Sequence, residues 1–341
     1  MTKKLSKLLA ILLIVALAAS LPAASAFAAG DSRVYTINST QSVPLFEQWL
    51  VKFTEYTTEL SDGSIQFNMF PTGSMGNSTE ALTACQMGTL DFVLGGDVEL
   101  GPIVKNSDWC SLPGYITTHE QGLDEYINGF IGDYADTQYA EAGLITLTRI
   151  DNSFRNLAIK GVDVKTADDV KGLRIRIPNQ PLPMQLYEQM GALPVALAAS
   201  EVLIALEQNT IDGADNAIFL FDQFKQYDLF DSIVALNYGY GVINLFCSAV
   251  TWETIPEADR ELMMQGAQMA SDWYHSEFLA AEEEVIERAK ADGKYVVPDE
   301  EWLAELWTYY DVIWENALAS GKYDEAFINE LYELYLTNTG R

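Results

Sequence analysis

Two arginines on a short strand and one asparagine after a glycine turn are the residues best suited to bind an anion. In the segment 172–178, apolar residues alternate with Arg174 and Arg176, which is the pattern of a half-buried strand. The segment 212–216 (DGADN) reads as a glycine turn that ends in Asn216. A guanidinium donates paired hydrogen bonds and an amide adds another donor. If the fold brings Arg176 and Asn216 together, they could clamp one planar anionic group.

Each of these residues also has a purely structural interpretation. An arginine on a strand is most often a solvated charge, and Asn216 could serve as a turn residue or helix N-cap. Arg176 lies near the carboxyl end of its strand, where open α/β sheets bind ligands. Arg174 comes earlier in the strand, and we read it as a surface residue.

The first 28 residues have the pattern of a secretory signal peptide. Three lysines among the first seven residues precede an apolar run over 8–19, and small residues follow, with cleavage expected after Ala26 or Ala28. No cysteine lies near that junction, so we expect no lipid anchor. No other apolar run approaches the ~20 residues that span a bilayer. We therefore expect a soluble, exported protein.

The composition limits the classes of partner. The chain has 20 Lys and Arg against 49 Asp and Glu, a net charge of −29, which argues against nucleic acid and anionic membranes as partners. The three cysteines, Cys85, Cys110 and Cys247, form no C-x-x-C pair; at most one disulfide is possible, and buried free thiols are favoured. His119 and His275 are the only histidines and belong to no metal motif, so we expect neither metal nor cofactor.

The hydrophobic pattern predicts an α/β protein with an open, largely parallel sheet and helices on both faces. Strands are predicted at 34–38, 65–69, 90–94, 144–150, 154–160, 172–178, 211–213 and 241–250. Helices are predicted at 45–60, 78–87, 120–141, 182–190, 200–208, from 217, from 254 to about 291, at 300–318 and at 324–336.

The helix that ends near residue 291 is long enough to bridge two domains. It would hold ~35 residues and extend ~50 Å. We predict that Leu262, Met269, Trp273 and Ala280 form its apolar stripe, and that Glu282, Glu283 and Glu284 form a solvated face.

Seven segments together resemble the DctP-like extracytoplasmic solute receptors of TRAP transporters. They occur in the family's order over most of the chain beyond the signal peptide: 70–76 (FPTGSMG), 85–91 (CQMGTLD), 112–113 (LP), 152–155 (NSFR), 171–178 (KGLRIRIP), 200–206 (SEVLIAL) and 212–216 (DGADN). The resemblance implies a two-lobe periplasmic binding protein fold, type II-like, with a long helix bridging both lobes. Lobe I would comprise 29–152 and 242–281. Lobe II would comprise 153–241 and 282–341 with the C-terminal helices.

The resemblance also implies a ligand site. Arg176 matches the basic residue that holds the ligand carboxylate, and Asn216 matches the asparagine that assists it. Arg155 and Asn179 match further ligand contacts in some members. Departures from the family pattern occur at Ala199, where an aromatic residue is common, Leu203 in place of Tyr, Asp215 in place of Glu, and Ala217 in place of Pro. These changes leave the anion clamp intact and the ligand unidentified.

From the first lobe, Gln41 and Asp97 follow predicted strands, where loops face a cleft. Both also fit ordinary loop positions. For Asp215, a role as a partner of a ligand-binding residue or as a cap is favoured over direct ligand contact.

The resemblance implies a monomeric periplasmic receptor that is not an enzyme. It would bind a small organic acid, a carboxylate or a sulfonate, and deliver it to the small and large integral-membrane subunits of the transporter. Two alternatives stay open: a ligand-sensing module for a membrane kinase, and an exported enzyme acting on an organic acid.

Overall fold

Strands and helices alternate along residues 32–340, which are the residues described by the structure, a computed structural model. The predicted signal peptide, residues 1–28, lies outside them. The strands are β1 (Arg33–Ser39), β2 (Ile65–Phe70), β3 (Phe92–Gly96), β4 (Leu144–Ile159), β5 (Arg174–Ile177), β6 (Leu193–Ala196), β7 (Gly213–Ala217), β8 (Ser232–Val234), β9 (Tyr240–Ser248) and β10 (Tyr295–Val296). The α-helices of six residues or more are α1 (Pro44–Leu60), α2 (Ser78–Gln86), α3 (Phe130–Glu141), α4 (Pro181–Gln189), α5 (Val202–Glu207), α6 (Ile218–Gln223), α7 (Ala249–Thr254), α8 (Glu257–Ala291), α9 (Glu300–Ala319) and α10 (Glu325–Thr339).

The strands form a mixed sheet in the order β2-β1-β3-β9-β4-β7-β5-β6. Parallel pairs join β1 to β3, β5 to β6 and β5 to β7, whereas β3–β9, β9–β4 and β4–β7 are antiparallel. The α/β fold class is confirmed. The expectation of a largely parallel sheet is wrong, because β9 and β4 run antiparallel between the two parallel groups.

Strand β4 joins the two halves of the sheet. Its first part pairs with β9 as far as Phe154, and its last five residues pair with β7 and β8. The register shifts between Asp151 and Phe154, and Ser153 in this bulge has a φ of 66°. The sequence predicts two strands here, and the structure shows one strand of 16 residues interrupted by that bulge.

Helix α8 has 35 residues, as its sequence pattern predicts. The first turn carries Glu257 and Asp259 and the last turn carries Arg288 and Lys290, so the charges complement the helix dipole. Its buried face contacts α1, β4, α6 and β10. These elements belong to both predicted lobes, which fits a bridging helix, while the lobe boundaries stay a prediction.

The predicted apolar stripe of α8 is only partly correct, because Leu262 and Trp273 pack against the core whereas Ala280 is exposed. Met269 is 39% exposed, and the buried face lies on neighbouring positions. That face consists of Met263, Gly266, Ala267, Ala270, Ser271, Tyr274, Phe278, Glu282, Val285 and Ala289. Small residues decide the orientation, because a side chain at Gly266 would overlap Thr57 of α1. The close approach of α8 to α1 therefore determines which face of α8 is buried, more than the positions of its larger apolar side chains do.

The predicted helix at 120–141 is interrupted. A single helical turn at His119–Gln121 continues as a π-helix over Gly122–Ile127, and α3 begins only at Phe130. Gly122 packs against the ring of Tyr240, and the backbone at Gly129 approaches the carbonyl of Asp124. This close packing accounts for the break.

Cys85, Cys110 and Cys247 are buried free thiols in the structure. Within residues 32–340 no helix is both long enough and apolar enough to cross a membrane.

Candidate functional site

Arg176 lies in β5, between β7 and β6, with only 5% of the residue exposed. Its Nε donates to Leu197 O at 2.9 Å and its Nη1 donates to Asp215 O at 3.3 Å. Among residues 32–340, no carboxylate forms an ion pair with this guanidinium, and Nη2 has no hydrogen-bond acceptor. Charged groups buried in proteins are ordinarily paired. The guanidinium of Arg176 therefore lacks a direct anionic partner among these residues.

The surroundings of Arg176 are unfavourable to its charge. Burial and the neighbouring charge of Arg155 lower the pKa of Arg176 to about 10. The guanidinium stays protonated near neutral pH, and a bound anion would relieve the unfavourable interaction.

Arg155 is also buried, but its charge is balanced. It forms an ion pair with Asp215 Oδ1, and its Nε donates to Tyr238 Oη at 3.2 Å. Burial lowers the pKa of Arg155, and Asp215 and Tyr238 outweigh that effect and raise it overall. The predicted contact between Arg155 and a ligand stays a prediction, and the structure shows that Arg155 has a carboxylate partner of its own.

Asp215 is fully buried and accepts hydrogen bonds from several sides. Its Oδ2 accepts from Tyr187 Oη at 2.8 Å and from Tyr238 Oη at 2.7 Å. Its backbone oxygen accepts from both Arg155 and Arg176. Asp215 thus fixes the positions of two arginines while neutralising one of them.

Arg174 occupies a different environment from Arg176. It forms an ion pair with Asp212 at 2.6 Å, and its side chain is 41% exposed. Its Nη2 also donates to Asn209 O at 2.9 Å. This partly exposed, fully paired guanidinium agrees with the interpretation of Arg174 as a surface residue.

Asn216 lies inside β7 rather than after a turn, so the predicted local structure is wrong. The strand extends to Ala217 because it pairs with β4, where Asn216 stands opposite Asn156. Ala214 is the partner of Arg176 across β7 and β5, which places Asn216 two residues further toward the carboxyl end of the sheet. Its Oδ1 accepts from Ala217 N at 3.0 Å, and its Nδ2 has no acceptor among residues 32–340.

Asn179 and Gln41 differ in how firmly they are held. Asn179 is exposed two residues beyond β5 and makes no side-chain hydrogen bond within the described residues. Gln41 Nε2 donates to Glu99 Oε1 at 3.1 Å. Glu99 also accepts from Ser78 and Thr40, so it organises this loop cluster. The roles of Asn179 and Gln41 in ligand binding stay predictions.

Asp97 follows β3 and is 2% exposed. Its carboxylate accepts from Val98 N at 2.7 Å and from Tyr126 Oη at 3.0 Å. Burial raises the pKa of Asp97 to about 7, and the positive charge of Arg155 opposes that rise. Asp97 and Arg155, predicted from separate segments, therefore lie close enough to interact electrostatically.

Gln180 connects the segment after β5, which follows Arg176, to the loop after β3, which carries Asp97. It has no counterpart in the sequence predictions. It is 2% exposed, and its Nε2 donates to Val98 O while its Oε1 accepts from Ser111 Oγ at 3.2 Å. The segment after β5 is thus held directly against the loop after β3. Its place one residue after Asn179 is the only sequence signal for it, whereas Tyr187 and Tyr238 belong to no motif.

A second buried charge cluster surrounds His119, at the β4 bulge that precedes Arg155. His119 Nδ1 lies 2.5 Å from Asp151 Oδ2, and Nε2 lies 2.9 Å from Glu282 Oε2. Ser153 in the β4 bulge donates its hydroxyl to Glu282. The prediction that Glu282 belongs to a solvated face is wrong, since it is 5% exposed and joins α8 to the bulge.

A cavity of about 460 Å³ lies elsewhere, between β4 and α8. None of the predicted binding residues lines it. Its buried arginine, Arg149, forms an ion pair with Asp136 and donates to the carbonyl oxygens of Tyr126 and Ile127. That guanidinium is satisfied without a ligand, so the geometry favours Arg176 as the anion site.

Comparisons with known proteins identify the family and the fold. The model of the family described as bacterial extracellular solute-binding protein, family 7 (DctP), matches residues 37–320. A solute-binding protein of Chromohalobacter salexigens is 27% identical over 65% of this chain and 66% of its own length, and the chain thus spans about two thirds of that relative. The C4-dicarboxylate-binding protein DctB of Bacillus subtilis is 25% identical over 75% of this chain and 74% of its own length.

A solved structure from Chromohalobacter salexigens shares the fold. It is a TRAP periplasmic solute-binding protein with bound D-glucuronate, and it superimposes with a TM-score of 0.77 over 89% of this chain and 98% of that one, at 22% identity. The likeness supports the expected two-lobe α/β architecture.

Proposed function

Because the chain belongs to the bacterial extracellular solute-binding proteins of family 7, the receptors of TRAP transporters, we propose that it binds a small organic acid through Arg176 and delivers it to a membrane permease. The observation that carries the ligand class is the buried guanidinium of Arg176, which has no carboxylate partner among residues 32–340. A ligand carboxylate would accept from Nη2 and from the remaining N–H of Nη1. Asn216 Nδ2 would supply a further donor.

The same geometry suggests how ligand and closure are coupled. In an open cleft water solvates Arg176, and closure without an anion leaves a buried charge unpaired, which is costly. A bound carboxylate removes that cost, so the closed form is favoured only when ligand is present. Micromolar affinity, about −8 kcal/mol, suffices for a receptor of this kind.

The proposal includes the partners and location that the family implies. The receptor would act in the periplasm after removal of a signal peptide, as a monomer that is not an enzyme. It would pass the ligand to the small and large integral-membrane subunits of a TRAP transporter. It would bind neither nucleic acid nor a cofactor.

The test compares Arg176→Ala with Arg174→Ala. Thermal unfolding is measured with and without an organic acid that stabilises the unmodified protein. We expect stabilisation to disappear in Arg176→Ala and to persist in Arg174→Ala, because Arg174 is already paired with Asp212. Equal stabilisation of the Arg176→Ala variant and the unmodified protein would refute the clamp.

A further inference from the structure

We propose that Asp215 makes this site selective for a monocarboxylate whose remaining polar groups are hydrogen-bond donors, and against a dicarboxylate. This inference rests on the proposed function, since it assumes that a carboxylate binds Arg176. It concerns how much positive charge the site offers to a ligand, and which residue sets that amount.

Two buried arginines, Arg155 and Arg176, supply the positive charge of the site. Asp215 forms an ion pair with Arg155 and none with Arg176, to which it offers only its backbone oxygen. Tyr187 and Tyr238 donate to Asp215 Oδ2 and hold the carboxylate in place. One arginine is thereby neutralised, and a single positive charge is left for the ligand.

The segment 97–99, which packs against the loop after β5, adds no positive charge to the site. Gln180, three residues beyond β5, donates to Val98 O, so the segment that carries Asp97 and Glu99 packs against the loop that follows Arg176. Asp97 is held by Val98 N and Tyr126, and Glu99 accepts from Gln41, Ser78 and Thr40. Neither acidic residue forms an ion pair within residues 32–340.

A ligand is therefore recognised by opposite features at its two ends. One carboxylate pairs with Arg176, and the segment that carries Asp97 and Glu99 offers buried carboxyl groups that accept hydrogen bonds. Hydroxyl groups suit these acceptors, whereas a second carboxylate would be buried with no arginine left to pair with it, because Asp215 already pairs with Arg155. A polyhydroxy monocarboxylate fits this arrangement.

Matched acids test the selectivity directly. Calorimetric titration of the unmodified protein compares gluconate with glucarate, which differ by a terminal carboxylate, and succinamate with succinate, which differ by an amide in place of a carboxylate. We expect the monoanion to bind at least about tenfold more tightly in at least the first pair, equivalent to ~1.4 kcal/mol. Equal or tighter binding of the dianions, or binding of none of the four acids, would overturn the inference.

Two variants assign the selectivity to Asp215. Asp215→Asn removes the neutralising charge and should lower the preference for the monoanion about tenfold or more, because Arg155 then becomes available to a second carboxylate. In the double variant Asp215→Asn/Arg155→Gln the pair is removed without a change in net charge. That variant should keep the original ratio of affinities even where the single variant fails to fold.

An unchanged ratio in a folded Asp215→Asn variant, or a shift of about tenfold in the double variant, would contradict the role of Asp215. Failure of the proposed function is distinguishable from failure of the inference. If an acid recovered from the purified protein stabilises it only when Arg176 is present, yet is a dianion, the function holds and the inference alone is wrong.

Discussion

Replacing His119 by glutamine should remove a pH-dependent part of the stability of the fold. The imidazole lies between Asp151 and Glu282, at 2.5 Å and 2.9 Å. Burial alone lowers the pKa of His119, but hydrogen bonds to these two carboxylates outweigh burial and raise the pKa from 6.5 to about 10. The folded protein therefore holds this proton more tightly than the unfolded chain.

The size of the effect follows from the shift in pKa. Each unit corresponds to 1.36 kcal/mol, so a rise from 6.5 to about 10 sets an upper limit of about 5 kcal/mol. The side chain of His119 is 29% exposed, and solvent screens part of this interaction. Burial also raises the pKa of Asp151 despite the imidazolium beside it, which shows that desolvation offsets part of the gain. We expect about 2 kcal/mol to remain.

The direction of the pH dependence is fixed by the sign of the shift. A folded-state pKa above 6.5 gives a contribution that is complete below pH 6.5 and disappears as the pH rises through about 10. Urea unfolding near pH 7 and near pH 10.5 measures it. The unmodified protein should lose about 2 kcal/mol more between these conditions than His119→Gln does.

The other histidine supplies the matched control for that experiment. His275→Gln should leave the pH dependence as it is in the unmodified protein, because His275 forms no ion pair within residues 32–340. Equal losses of stability in the unmodified protein and in His119→Gln would refute the reasoning. The same result would show that the bulge at Asp151 and Ser153, just before Arg155, is held by other contacts.

Three further variants test the packing of α8 and the connection between the segment after β5 and the loop after β3. Gly266→Ala should lower the free energy of unfolding by about 1–3 kcal/mol, because the new methyl group would overlap Thr57 of α1. Met269→Ala, on the exposed face of the same helix, should change it by less than ~0.5 kcal/mol. Thermal melts that rank the two variants in the opposite order would contradict the observed orientation of α8. Gln180→Ala should weaken ligand binding measured by calorimetry, because it removes the hydrogen bonds to Val98 O and Ser111 that hold the segment after β5. Unchanged affinity would show that these two hydrogen bonds do not stabilise the binding-competent form.

The sequence predicts the fold better than it predicts the side-chain partners. Most helices and strands follow from the period of their apolar residues, including the 35 residues of α8. The orientation of α8 does not follow, because its small residues carry the contact with α1 and hydrophobicity alone points elsewhere. The mixed sheet is missed for a related reason, since strand direction depends on partners that are distant in the chain.

The candidate site, like the fold, is only partly predictable from the sequence. The alternating pattern of β5 and the family segments identify Arg176, and the acid-rich composition gives no guidance on which of many carboxylates pairs with which arginine. Asp215 neutralises Arg155, Asp212 pairs with Arg174, and Glu282 turns inward to His119. Each pairing depends on tertiary geometry, and together they separate Arg176 from the other arginines of this region.

A crystal structure of the protein with the acid that copurifies with it would test the central claim most directly. Mass spectrometry of the released ligand would identify that acid. We predict a carboxylate whose oxygens lie within hydrogen-bond distance, ~3 Å, of Arg176 Nη1 and Nη2. A ligand without an anionic group, or one whose anionic group contacts another residue while Arg176 stays unpaired, would contradict this account.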